Sequence, residues 1–96
     1  MNPSRQDVID RGNAIYHASK TIKNGHVADQ MEYFINSLRI KFINRDEFDK
    51  LINNIKIFKE GIEMTGNKLN SEFRDGIIVF CDMCIEFLEI EKENYL

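Results

Sequence analysis

The segment from Phe73 to Ile90 is apolar around most of its circumference, and it constrains the fold more than any other part of the chain. At about 100° per residue, one broad face of a helix here carries Phe73, Ile77, Phe80, Cys84, Phe87 and Leu88. A helix that is apolar around most of its surface must be covered by other helices or by a second subunit. The segment therefore predicts a central helix in an all-α fold.

Three further apolar stripes with helical spacing precede this segment, and no stretch alternates as a strand does. The four predicted helices lie near residues 4–23, 27–43, 45–65 and 71–93. The first should stop at Asn24-Gly25, where Gly can adopt a left-handed conformation. Gly12 and Ser19 lie on the first stripe, and their small size predicts close approach by another helix. Short connections then predict an antiparallel four-helix bundle formed by residues 1–96 as one domain.

One boundary leaves an alternative open. The stripe that begins at Val27 stays roughly in phase across Asn44, so residues 27–65 could form one long helix. The fold would then have three helices and a core completed by dimerisation. We favour a break, because Asn44 followed by Glu47 resembles a capping box. In either case the apolar surface of the last helix predicts a homodimer, with Ile78 and Ile85 in its interface.

Composition limits the cellular setting. The chain is 43% hydrophobic and 30% charged, which is ordinary for a globular protein. Residues 1–12 lack the apolar core of a signal peptide, and the longest apolar run, residues 77–81, cannot span a bilayer. We therefore expect a cytoplasmic protein with no membrane partner.

Cys81 and Cys84 form the most chemical-looking motif, but they fall in the middle of the last predicted helix. Redox pairs of this spacing lie at a helix N-terminus, where the thiol pKa is lowered. A zinc site needs four ligands, and the sequence offers no second pair nearby. We expect two buried structural cysteines, with no metal site and no cofactor.

His17 supplies the alternative function. The segment Tyr16–Lys20 resembles the active-site helix of histidine phosphotransfer domains, which implies a phosphorelay or other enzymatic role for His17. Thr21 stands where that family usually has Gly. Arg11 and His17 are also similar to the Arg–His motif of the HEPN nucleases. We favour an exposed polar histidine and a non-enzymatic protein, since matches this short arise by chance.

A mildly basic segment, residues 39–59, gives a third reading. It contains Arg39, Lys41, Arg45, Lys56 and Lys59, and would make the protein a nucleic-acid-binding regulator. No Trp and no aromatic stacking platform accompany these cations, so we expect no nucleic-acid partner.

The polar side of the last helix carries what we call the acidic line: Asp75, Asp82, Glu86, Glu89 and Glu93. Like charges four residues apart destabilise a helix by roughly 0.2–0.5 kcal/mol per pair. Five carboxylates of the same sign on one line therefore suggest a functional role. Residues 46–96 contain six Lys/Arg and twelve Asp/Glu, a net charge of −6, whereas residues 1–45 are +3. The sequence therefore predicts a protein that binds a basic partner protein through this line. Its size and charge suit a phage or bacterial inhibitor, antitoxin or immunity protein.

Overall fold

The computed structural model describes residues 2–40, 44–65 and 68–95. These residues form four helices, α1 (Arg5–Thr21), α2 (Gly25–Arg39), α3 (Arg45–Thr65) and α4 (Ser71–Glu93). No strand occurs within the described ranges. The predicted all-α four-helix bundle is therefore confirmed. The predicted end of the second helix, near residue 43, lies outside the described residues.

The break between α2 and α3 is real, so residues 27–65 do not form one helix. Ile40 is extended, with φ −87° and ψ 141°, and its backbone N–H donates to the Ser37 carbonyl. Asn44 caps α3, because its side-chain oxygen accepts a hydrogen bond from the Glu47 N–H at 3.1 Å. This hydrogen bond belongs to the predicted capping box. An Asn side chain satisfies a donor that the first turn of the helix would otherwise leave unpaired.

The turn between α1 and α2 differs in detail from the prediction. The left-handed residue is Lys23, with φ 59°, and not Gly25, which opens α2. The Asn24 side chain accepts from the Val27 N–H at 3.1 Å and caps α2. The position of the turn was predicted correctly, but the prediction that Gly25 has the positive φ was wrong, because Lys23 has it.

The core lies between α4 and its neighbours. α4 packs along both α1 and α3, and α1 packs along α2, whereas the α2 and α3 backbones are farther apart. Phe34 and Phe58 bridge that wider gap, with ring centroids 5.5 Å apart. Gly12 and Ser19 are both buried, and at Gly12 an added Cβ atom would meet Phe80 and Ile35, which confirms the predicted close approach there. The bundle is thus a square in which the α1/α4 side and the α2/α3 side are opposite.

Candidate functional site

The acidic line lies on the solvent-facing side of α4, and all five of its residues are exposed. The buried residues of α4 occupy the opposite side: Ile77, Phe80, Cys81, Cys84, Phe87 and Leu88. The amphipathic pattern of the sequence therefore placed these carboxylates correctly. Their surroundings on the two flanks of α4 are different, however.

On the flank next to α3, lysines neutralise part of the acidic line. Lys59 Nζ lies 2.7 Å from Asp82 Oδ1, and Lys56 Nζ lies 3.8 Å from Glu89 Oε1. The hydrogen bond from Lys59 to Asp82 raises the pKa of the Lys59 ammonium. Asp75 has its sequence neighbour Arg74 as an ion-pair partner, at 3.6 Å. Three of the five carboxylates are thus next to a cation.

These ion pairs also bear on the basic segment, residues 39–59, which the sequence offered as an alternative, nucleic-acid-binding surface. Lys56 and Lys59 face the carboxylates of α4, so they do not form a cationic surface of their own. Arg45 donates to the Lys92 carbonyl at 3.3 Å. Lys41 lies outside the described residues. Arg45, Lys56 and Lys59 are therefore each engaged in a local contact within the described bundle.

On the flank next to α1, Arg5 of α1 lies 4.0 Å from Glu91 of α4, which is not part of the acidic line, whereas Glu86 has no cation within ion-pair distance among the described residues. Within the described part of the chain, neither Glu86 nor Glu93 forms an ion pair. Glu86 opens onto a groove of about 710 Å³ between α1 and α4. We call it the acidic groove; its lining comprises Asn2, Pro3, Asp7, Asp10, Arg11, Ala14, Met83 and Glu86. Arg11 is the one cation among these residues, against three carboxylates.

Local hydrogen bonds hold the α1 carboxylates of this groove in place. Asp7 and Ser4 form a capping box: the Ser4 N–H donates to Asp7 Oδ2 at 3.2 Å, and the Asp7 N–H donates to Ser4 Oγ at 3.0 Å. These bonds lower the pKa of the Asp7 carboxyl, chiefly through the Ser4 N–H. Asp10 Oδ1 accepts from Gln6 Nε2 at 2.7 Å. The groove therefore has fixed acceptors on α1 opposite Glu86 on α4.

Sequence reasoning missed Asp7 and Asp10 as members of this surface. Residues 7, 10, 14 and 18 are three, four and four apart, so they follow one line along α1. That line carries Asp7, Asp10 and two alanines, and it is polar or small throughout. The spacing was available in the sequence, but only the packing of α1 on α4 brings it next to Glu86.

The groove continues toward the other end of the same helix pair. Arg11 and Ala14 also line an adjoining depression of about 440 Å³, where Ala18, Gly76 and Phe73 give an apolar surface. Ile22 stands at its end with 53% of its surface exposed. The α1/α4 side thus combines an acidic half with an apolar half.

His17 lies apart from this surface. Its ring is exposed and meets the Tyr16 ring edge-on, with centroids 5.6 Å apart. Lys20 Nζ lies 5.6 Å from the Tyr16 ring centroid. Lys20, the lysine of the segment that resembles a histidine phosphotransfer helix, thus makes a cation–π contact with Tyr16. Arg11 faces the acidic groove, and six residues at about 100° each place His17 about 120° away around α1.

Cys81 and Cys84 are fully buried free thiols, as the sequence predicted for structural cysteines. Burial raises the pKa of each thiol to about 12. In the described ranges, no group of three or more His, Cys, Asp or Glu side chains could hold a metal ion.

Ile78 and Ile85, the predicted dimer contacts, are half-buried and pack against the core of their own chain. That packing accounts for part of the apolar surface that led us to predict an interface there. Whether these two residues also contact a second copy remains a prediction.

Comparisons with protein-family models, curated proteins and solved structures find no match. Among the described residues, no helix is both long enough and apolar enough to cross a membrane. Function must therefore be inferred from the surfaces of the chain itself.

Proposed function

We propose that this chain is a non-enzymatic interaction module that binds a basic surface of a partner protein through the acidic groove. The observation that carries the proposal is the convergence of Asp7, Asp10 and Glu86, from two helices, around an open groove whose described lining contains one cation, Arg11. Carboxylates fixed in this way favour a cationic partner both during approach and in contact.

The acidic line contributes unequally to this surface. Glu86 and Glu93 have no ion-pair partner among the described residues, so a partner's Lys or Arg side chains would meet a full negative charge. Asp82 and Glu89 share their charge with Lys59 and Lys56, and we assign them to the edge of the contact. Asp75, beside Arg74, also belongs to the edge.

The proposed class is a small inhibitor, antitoxin or immunity-type protein of a phage or bacterium. Such proteins act by covering a partner, so they need a complementary surface and no catalytic group. The burial of both thiols of α4 supports this reading over a redox one, and the exposed His17 is tested separately below.

The test is quantitative capture of partners from the cell that expresses the protein, followed by mass spectrometry. The variant Asp10→Lys with Glu86→Lys reverses the groove and moves the net charge from −3 to +1. The matched control, Asp29→Lys with Glu32→Lys, makes the same net change on exposed positions of α2.

We expect wild type and the α2 control to retain a common partner, and the groove variant to lose it. Capture by wild type should also weaken as salt rises, because salt screens exposed charges beyond about 10 Å at 0.1 M. Equal capture by the groove variant and the α2 control would contradict the proposal.

A further inference from the structure

Exposed apolar side chains concentrate on the α2/α3 side of the bundle, opposite the acidic groove. Six large apolar residues are exposed in the described part of the chain, and four of them lie here: Tyr33, Ile40, Ile57 and Met64. Ile57 is 60% exposed and Met64 is 75% exposed. We call this surface the α2/α3 face. Its apolar content is unexplained by the packing of the bundle itself.

The α2/α3 face is concave. A groove of about 610 Å³ runs between the two helices, and Phe58 and Ile62 contribute to its walls. Asn54 Nδ2 donates to Tyr33 Oη at 3.1 Å and links the two helices across it. Gly61 leaves a gap beside Ile57, because a Cβ atom built there would meet nothing within 4 Å. The surface therefore offers both projecting side chains and a space that can receive one.

The charged residues next to the apolar side chains of the α2/α3 face indicate which partner would cover it. Lys50, Ile57 and Met64 are spaced by seven residues and follow one line on α3, with Glu60 next to that line. Lys50 and Glu60 are exposed, and neither forms an ion pair within the described ranges. They are ten residues apart, or about 15 Å along the helix at about 1.5 Å per residue, too far to pair within one chain.

We propose that a second copy of this chain covers the α2/α3 face, with the two α3 helices antiparallel about a two-fold axis that passes midway between Lys50 and Glu60, at a level between Asn54 and Ile57. In such an isologous contact, Lys50 of each copy approaches Glu60 of the other, so both ends of the face are complementary at once. A partner of a single charge sign would satisfy only one end. The dimer leaves both acidic grooves on its outer sides and does not depend on their proposed function. It uses a different surface from the interface predicted at Ile78 and Ile85, which lie on α4.

Light scattering on the eluting peak of a size-exclusion column, at tens of micromolar, tests the proposal with two matched glycine variants. Gly61→Arg places a long charged side chain in the face, yet its Cβ atom would meet nothing within 4 Å and it replaces a poor helix former. Gly76→Arg makes the same change at a helical glycine on the α1/α4 side, where the Cβ also has open space. We expect wild type and Gly76→Arg to be dimers and Gly61→Arg to be a folded monomer by circular dichroism.

A charge swap tests the two-fold arrangement directly. Lys50→Glu and Glu60→Lys should each weaken the dimer, because each creates two like-charge pairs across the axis. The double variant Lys50→Glu with Glu60→Lys should restore dimerisation at least tenfold relative to either single change.

The proposal would be overturned by a monomeric wild type, by a Gly61→Arg variant that stays dimeric, by single charge variants with unchanged dimerisation, or by a double swap that gives no rescue. Dissociation of the dimer by Gly76→Arg, or by Val79→Glu at an exposed position of α4, would place the dimer contact elsewhere and would equally overturn the proposal.

Discussion

Gly12 of α1 and Phe80 of α4 pack so closely that a Cβ atom built on Gly12 would lie 2.9 Å from Cε1 of the Phe80 ring. The same atom would lie 3.0 Å from Cγ1 of Ile35 on α2. Side chains of α2 and α4 therefore pack directly against Gly12 of α1, where a glycine hydrogen fits but a methyl group does not. Phe80 is fully buried, so its ring has little room to move away.

Replacing Gly12 with Ala should destabilise the bundle. Overpacking a full core costs about 1–3 kcal/mol, and the better helix propensity of Ala returns up to about 1 kcal/mol. With the full return, roughly 0–2 kcal/mol of destabilisation remains, so we expect a net loss of about 1 kcal/mol, measured by urea unfolding. The control Gly76→Ala, where the added methyl group has open space, should be stabilising by about 0.5–1 kcal/mol. A Gly12→Ala variant as stable as Gly76→Ala would show that this contact is looser than described.

The bundle could be predicted because each stripe has a helical period and each break has local chemistry. Asn44 and Glu47 marked the start of α3, and the small residues Gly12 and Ser19 marked the close approach. The left-handed residue could not be predicted in the same way. Gly25 is the natural candidate, yet Asn24 serves as the N-cap of α2, which leaves Lys23 to make the turn.

The capping box at the start of α1 should make stability depend on pH. The pKa of Asp7 is lowered in the folded chain, so its contribution is present above the ordinary value of 3.8 and is lost as pH falls through the folded pKa. Asp7→Asn should therefore be destabilising at pH 7 and nearly neutral in strong acid. Ser4→Ala should cost about 1 kcal/mol at pH 7 and should retain most of that cost in acid, since the hydroxyl carries no charge. Thermal melts of the two variants at both pH values measure the difference; a cost of Asp7→Asn that is unchanged in acid would contradict it.

The buried thiols should be unreactive in the folded protein. With the pKa of Cys81 and Cys84 raised to about 12, both remain neutral thiols at pH 8 and react with iodoacetamide only when the chain opens. Labelling should therefore accelerate in urea in parallel with unfolding. The contribution of these neutral thiols to stability is fully present below pH 9.0, the ordinary pKa of a thiol, and falls as pH rises toward 12.

Replacing both thiols with hydroxyls tests the same burial by another route. Cys81→Ser with Cys84→Ser should cost about 1–3 kcal/mol for each hydroxyl that is left without a hydrogen bond. Rapid labelling of the native protein, or a double Ser variant as stable as wild type, would contradict the described burial.

The proposed binding surface could be predicted only in part. The acidic line was visible because one helix carries it. The neutralisation of Asp82 by Lys59, and the alignment of Asp10 with Glu86, depend on which helices are neighbours. Helix order around a bundle is set by the summed packing of all four apolar faces. No single spacing in the sequence records it.

His17 separates the proposed function from the enzymatic alternative. Because its ring is exposed and lies away from the acidic groove, His17→Ala should leave fold, partner capture and activity in cells unchanged. His17→Glu would serve as a stricter variant at the same position. Loss of activity in His17→Ala, with an unchanged circular dichroism spectrum and intact capture, would instead support a phosphorelay role.

The most direct test compares two carboxylates of the acidic line that differ in their surroundings. Glu86 opens onto the acidic groove, whereas Asp82 lies 2.7 Å from Lys59 at the edge. Glu86→Gln and Asp82→Asn each remove one negative charge from α4 with little change of shape. The measurement is the dissociation rate of the captured partner from each variant, by surface plasmon resonance.

A charge in the centre of a contact governs dissociation, whereas a charge at the rim mainly affects association. We therefore predict that Glu86→Gln releases the partner roughly tenfold faster than wild type and that Asp82→Asn releases it at the wild-type rate. Equal dissociation rates for the two variants, or faster release from Asp82→Asn, would contradict the assignment of the acidic groove as the binding surface.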